Sequence, residues 1–260
     1  MIVVKYGGST QAAGTGKILP EIAELFKGGE KFVIVHGGAP AINRELVIHQ
    51  VKIEMVNGFR YTDAATQEIV QRTLSGEVLR DLVNEMISYG VNAVGLTSSD
   101  GGLLRAKKKT VNHLGEAVDL GLVGEVDQTD PKLLELLINA GYFPIISPVG
   151  TDVNGVSLNV NGDVVTGAIG AAIKADLVLF LTDVSGIYEN YPDLNTLISK
   201  ITLAELKELM PKMQSGMIPK VNSIIAAMEG GAAAVRIVDG SIPSVIKKAI
   251  SGEIGTLVVN

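Results

Sequence analysis

Short apolar runs rich in β-branched residues recur along the chain, with a helix-period stretch between most of them; few folds accommodate that alternation. The runs are MIVVK (1–5), KFVIVHG (31–37), NAVGLT (92–97), FPIISPV (143–149), DLVLFLTD (176–183) and AAVRIVDG (233–240). Between them lie ILPEIAELFKGG (18–29), the long stretch 63–90, PKLLELLINAG (131–141), VVTGAIGAAIKA (164–175) and IPKVNSIIAAMEGG (218–231). Continuously apolar strands joined through helices lie parallel in a sheet covered on both faces. The expectation is an α/β chain with a mainly parallel central sheet. Segment 103–128 lacks a helical period and reads as a β-hairpin excursion. A new βα series starts after the helix at 164–175, which places a division at 173 and gives parts 1–173 and 174–260.

Composition removes several classes of function. A net charge of −6 argues against a nucleic-acid surface, and the only basic cluster is RAKKK at 105–109. The absence of cysteine excludes disulfides, thiolate metal sites and a cysteine nucleophile. The apolar stretch 164–183 is interrupted by Lys174 and Asp176, so it reads as a buried helix and a core strand rather than a membrane span. MIVVKYGG is too short and lacks the basic flank of a signal peptide, so a soluble, cytoplasmic protein is expected. GTGK at 14–17 fails as a phosphate-binding P-loop, because Gln11 and Ile18 stand where Gly and Ser or Thr are needed. No G-x-G-x-x-G follows the first strand, no G-x-S-x-G occurs, and His36, His49 and His113 form no zinc-binding spacing.

The chemistry-bearing residues gather at strand ends and helix starts. Lys5 closes the first run ahead of Gly7 and Gly8, either as a snorkelling lysine before a turn or as a cation beside bare amides suited to an anion. His36-Gly37-Gly38-Ala39 follows the second run and Thr182-Asp183-Val184-Ser185-Gly186 the fifth. Three turns on neighbouring parallel strands would share one rim, where open α/β sheets bind ligands. In LNVNGD (158–163), Asn159 and Asn161 share a side of an extended segment, and Asp163 is either a helix N-cap or a charge that orients a lysine or metal. Lys220 sits near the start of a helix, an end that prefers anions. Arg60 precedes a helix capped by Thr62 or Asp63 and is either a surface arginine or a bidentate carboxylate clamp.

K-x-G-G at the N-terminus, VHGGAP, NGFRYTDAAT, NVNGD, LTDVSGIY and SGMIPK follow in the order found in amino acid kinases. Over nearly its whole length the chain resembles that family, and within it the acetylglutamate kinases. The resemblance implies a three-layer αβα sandwich with a mainly parallel central sheet, and ATP-dependent phosphorylation of the side-chain carboxylate of N-acetyl-L-glutamate. It further implies an acyl amino acid site and a homodimer interface in the N-terminal part, and an ATP site in the C-terminal part. Lys5 and Lys220 would stabilise the transferring phosphoryl group, with Asp163 orienting both. Gly7 and Gly8 would give amides to phosphate, and Gly38, Ala39, Arg60, Asn159 and Asn161 would hold the acceptor. Asp183, Val184, Ser185 and Gly186, with Lys212, Met213 and Gln214, would line the nucleotide pocket, with Mg²⁺ carried in on ATP rather than bound at a protein metal site. Two residues depart from the pattern: Ala39 replaces a loop glycine, and Gly162 replaces an alanine. Gly162 is more typical of relatives that phosphorylate aminoadipate or glutamate carried on a small acidic protein, for which Arg105 and Lys107 to Lys109 could supply a basic rim. A non-catalytic regulator is the remaining alternative.

Overall fold

The structure is a computed structural model that describes residues 1–7, 18–112, 115–213 and 217–260. Gly8, His113 and Gln214 therefore lie outside the described residues. Eight strands form one sheet in the order Lys200–Thr202, Thr256–Val259, Val235–Asp239, Leu177–Thr182, Ile2–Tyr6, Phe32–His36, Phe143–Ser147 and Ala93–Thr97. Neighbours are parallel throughout except where Val235–Asp239 meets Thr256–Val259.

Side-chain alternation along each strand divides the core into two clusters. Val3, Val33, Val35, Ile146, Val178 and Phe180 pack on one face with the helices Gly162–Ala172 and Ile218–Glu229. Ile2, Val4, Phe32, Ile34 and Leu179 pack on the other with Ile18–Lys27, Leu79–Ser88 and Val245–Ser251. This is the expected αβα sandwich. Residue 173 is the C-cap of the helix Gly162–Ala172, and the sheet runs unbroken past it, because Leu177–Thr182 pairs directly with Ile2–Tyr6. No helix among the described residues is long and apolar enough to cross a membrane.

Two segments depart from the local reading. Leu104–Lys108 and Val123–Thr129 do pair as antiparallel strands, yet Val149–Thr151 and Ser157–Val160 join them in a closed four-stranded barrel. The helical stretch 63–90 divides into Ala64–Gln71, a π-helical turn Arg72–Val78, and Leu79–Ser88. In the wide turn Ser75 Oγ and Ser147 Oγ share a hydrogen bond of 2.8 Å, and Leu74 packs against Gly38, where a Cβ would come within 2.5 Å of Leu74 Cδ2. Helical periodicity alone carries no mark of such a bulge.

Candidate active site

Because Leu177–Thr182, Ile2–Tyr6 and Phe32–His36 are parallel neighbours, the turns after Lys5, His36 and Thr182 open on one rim. Lys5 pairs in register with Phe180, and its side chain folds over Gly7, where a Cβ would lie 2.8 Å from Nζ. The glycine after the strand is thus the space the lysine occupies.

Lys5 Nζ lies 3.2 Å from Asp163 Oδ1, and Lys220 Nζ donates to Asp163 Oδ2 at 2.9 Å. The three side chains are 16%, 15% and 13% exposed in the order Lys5, Asp163, Lys220, so the cluster is mostly withdrawn from water. The Lys5 contact is an ion pair without hydrogen-bond alignment, which leaves Oδ1 otherwise unpartnered. Burial pushes the Asp163 carboxyl up, but the charges of Lys5 and Lys220 outweigh that and hold it below its usual value. Lys220 Nζ also lies 5.7 Å from the centre of the Phe180 ring. The anion that offsets a lysine in the first turn of Ile218–Glu229 is therefore Asp163, in the first turn of the neighbouring helix. Those helices come close one turn further on, where a Cβ at Gly167 would lie 2.5 Å from Ser223 O.

Asn161, not Asp163, is the N-cap: its Oδ1 accepts from Asp163 N at 2.8 Å and Val164 N at 3.4 Å. That cap spends the Asn161 oxygen and sets the direction of Asp163. A cavity of about 260 Å³ lies beside the cluster, lined by Lys5, Gly38, Ala39, Arg60, Asn159, Asn161 and Asp163 among others. Arg60 donates from Nη2 to Asn43 Oδ1, while its buried Nη1 has no partner. Asp63 is the cap of the following helix, accepting from Thr66 N at 2.7 Å. Gly162 has room for a methyl group, since its Cβ would meet nothing closer than His36 O at 3.4 Å. Ala39 is exposed at the start of Ala39–Ile48, so its methyl group displaces no backbone.

On the other side of the cluster a cavity of about 450 Å³ is lined by Asp183, Val184, Gly186, Lys212, Met213 and Lys220. Ser185 is not on its wall. Tyr188, Asn190 and Tyr191 are, and the sequence reading missed them; the aromatic pair after the LTDVSG turn was the available signal. On the acceptor side it missed Phe59 and Leu74. Of the basic cluster, Lys107 pairs with Glu125 and Asp127, Lys108 with Asp119, and Lys109 with Glu125. Lys109 also lies 5.5 Å from the centre of the ring of Phe59, which borders the smaller cavity. Among the described residues no group of three or more His, Asp or Glu side chains is placed to hold a metal ion.

A mainly parallel sheet between helices, with two ammonium groups joined by one carboxylate so that Lys220 lines a larger cavity and Lys5 and Asp163 a smaller one, has the layout of a kinase. The sequence profile of the amino acid kinase family matches residues 1–239, and the chain belongs to that family. It is 40% identical over 266 residues to an acetylglutamate kinase of Symbiobacterium thermophilum, covering 99% of this chain and 91% of that protein. An acetylglutamate kinase of Archaeoglobus fulgidus is 41% identical over 269 residues, covering 99% and 92%. A solved structure from Streptococcus mutans UA159 superposes with a TM-score of 0.81 at 28% identity, covering 99% of this chain and 98% of that one.

Proposed function

We propose that the chain transfers the terminal phosphoryl group of ATP to the side-chain carboxylate of N-acetyl-L-glutamate, giving N-acetylglutamyl 5-phosphate for arginine biosynthesis. The observation that carries this reading is the Lys5–Asp163–Lys220 cluster, whose Lys5 and Asp163 line the smaller cavity and whose Lys220 lines the larger one. A carboxylate acceptor is anionic at neutral pH, so it needs no general base. The barrier is the meeting of two anions, and charge stabilisation with positioning is what lowers it.

In this reading Lys5 and Lys220 neutralise the phosphoryl group as it moves between cavities, and Asp163 aims them. The start of Ala39–Ile48, with Gly38 and Ala39, offers helix N-terminal amides to the acceptor's reacting carboxylate. The unpartnered Nη1 of Arg60 clamps the other carboxylate, and Asn159 and Asn161 hold the amide end. Asp183 to Gly186, Lys212 and Met213 hold the nucleotide, and Gly7 and Gly8 serve its phosphates. Both oxygens of Asp163 face lysines, so its donor set suits ammonium groups rather than a resident cation. Magnesium carried on the phosphates supplies further charge neutralisation.

Residues 1–173 would carry the acceptor and 174–260 the nucleotide. A homodimer through the N-terminal part is supported by Val47 and Ile48, 67% and 61% exposed at the end of Ala39–Ile48. The proposed setting is the cytoplasm. A carrier-borne acceptor is less well supported: three lysines of its basic rim are engaged by acids, and the space at Gly162 admits an alanine equally.

The test is ADP release from Mg-ATP with N-acetylglutamate, hydroxylamine trapping the acyl phosphate, for wild type and Lys5→Ala. Turnover that falls by roughly two to three orders of magnitude in the variant is expected. Intact ATP binding without any turnover would reject this acceptor.

A further inference from the structure

Arg60 and Asn159 come from distant segments and meet through one side chain. Thr62 is 0% exposed. Its hydroxyl donates to Arg60 O at 2.8 Å, and Asn159 Nδ2 donates to Thr62 Oγ1 at 3.2 Å. The surrounding backbone is knitted together: Thr62 N donates to Leu120 O, Leu122 N to Thr62 O, and Asn159 N to Leu122 O.

A carbonyl oxygen only accepts, so Arg60 O takes the single hydroxyl hydrogen of Thr62. Oγ1 then presents lone pairs alone, and only an N–H can face it. The Asn159 amide is held with its nitrogen toward Thr62, which leaves Oδ1 for the cavity that Asn159 lines. Asn159 Oδ1 has no hydrogen-bond partner among the described residues. Turning the amide over would set two oxygens against each other with no hydrogen between them.

We infer that Thr62 is a positioning residue that makes the site select acceptors presenting an N–H to Asn159, a deduction resting on the acyl amino acid acceptor proposed above. An N-acyl amide supplies that N–H. The matching O-acyl ester supplies only a lone pair and leaves Oδ1 unpaired. Through Arg60 O the same hydroxyl ties the strand that carries the guanidinium, so the carboxylate clamp and the amide contact are set together.

The experiment compares N-acetyl-L-glutamate with its ester analogue, 2-acetoxyglutarate, in steady-state assays of wild type, Thr62→Val and Thr62→Ser. Wild type is expected to favour the amide by about tenfold or more in kcat/KM. Thr62→Val keeps the side-chain shape but frees the Asn159 amide to turn. Its KM for the amide rises about tenfold, kcat and KM for ATP stay within about twofold, and its amide preference falls below about threefold. Thr62→Ser restores the wild-type pattern. A wild-type preference below about threefold overturns the inference whether or not Thr62→Val folds. So does a Thr62→Val enzyme that keeps the preference, a Thr62→Ser enzyme that fails equally, or a KM for ATP that rises in step. Wild type inactive on the amide refutes the proposed acceptor and this inference together; every other adverse result refutes the inference alone.

Discussion

Acid should destabilise this protein through one imidazole. His36 is 0% exposed at the end of Phe32–His36, and its Nδ1 lies 2.9 Å from Gly37 O. The carbonyl can only accept, so Nδ1 carries the hydrogen, and buried Nε2 is a lone pair with no partner. Protonation would place an unpaired N–H and a charge in the core. Burial accordingly drives the pKa down from 6.5 to about 4, with the Gly37 carbonyl opposing it weakly. The unfolded chain binds this proton near pH 6.5 and the folded chain only near pH 4, so between those values unfolding takes up a proton. Stability from this group is complete above pH 6.5 and is lost as pH falls through the interval. The loss is about 1.4 kcal/mol by pH 5.5 and about 3 kcal/mol by pH 4. Urea unfolding of wild type and His36→Asn across pH 7.5 to 4.0 measures it. The variant keeps a donor for Gly37 O and loses the titration, so the stability difference between the two proteins should narrow by those amounts. Parallel pH profiles, or a His36 resonance titrating near pH 6.5, would refute the reasoning.

Three further outcomes follow from the site. Asp163→Asn removes the countercharge of both lysines, and kcat should fall by roughly two to three orders of magnitude in the coupled ADP assay, with native circular dichroism. Gly7→Ala puts a methyl group 2.8 Å from Lys5 Nζ, the movable end of that side chain; thermal unfolding should barely change, while kcat falls about ten- to a hundredfold. Gly121 has φ +69 and its Cβ would lie 2.2 Å from Thr62 O, so Gly121→Ala should cost at least about 2 kcal/mol in urea unfolding and raise KM for the acceptor more than KM for ATP.

The sheet was legible because each central strand is apolar on both faces, a pattern that leaves parallel pairing between helices as the main solution. Lys5 beside Gly7 was legible because a charge at the end of such a strand needs a reason. The barrel was only half legible: Val149–Thr151 and Ser157–Val160 are too short to announce themselves, and they are strands because Leu104–Lys108 and Val123–Thr129 offer them edges. Thr62 was hidden for a different reason. Beside Asp63 at a helix start it reads as a capping residue, and its hydroxyl acquires a role only when Asn159 arrives from a distant strand. The partner of Lys220 was equally non-local. Periodicity reports what one segment buries, whereas these contacts depend on which segments the sheet order brings together.

The Lys5–Asp163–Lys220 cluster accounts for how a site can hold cations ready for a phosphoryl group without letting them wander. A free lysine side chain gives up about 2 kcal/mol of rotamer entropy when fixed, and fixing two during the reaction would add that cost to the barrier. Here both are fixed on folding: Lys5 by lying over Gly7, Lys220 by its ring contact with Phe180, and each by one carboxylate. An ammonium group has three N–H donors, and each lysine spends at most one on Asp163. The remaining donors, and one unit of net positive charge, stay available to a transferring phosphoryl group that arrives between the cavities. A carboxylate with no lysines would repel that group, and two lysines with no carboxylate would repel each other. Three charges in this ratio are the smallest set that is both ordered at rest and attractive to the anion, which is why removing Asp163 should cost rate although Asp163 itself is the wrong sign to stabilise phosphate.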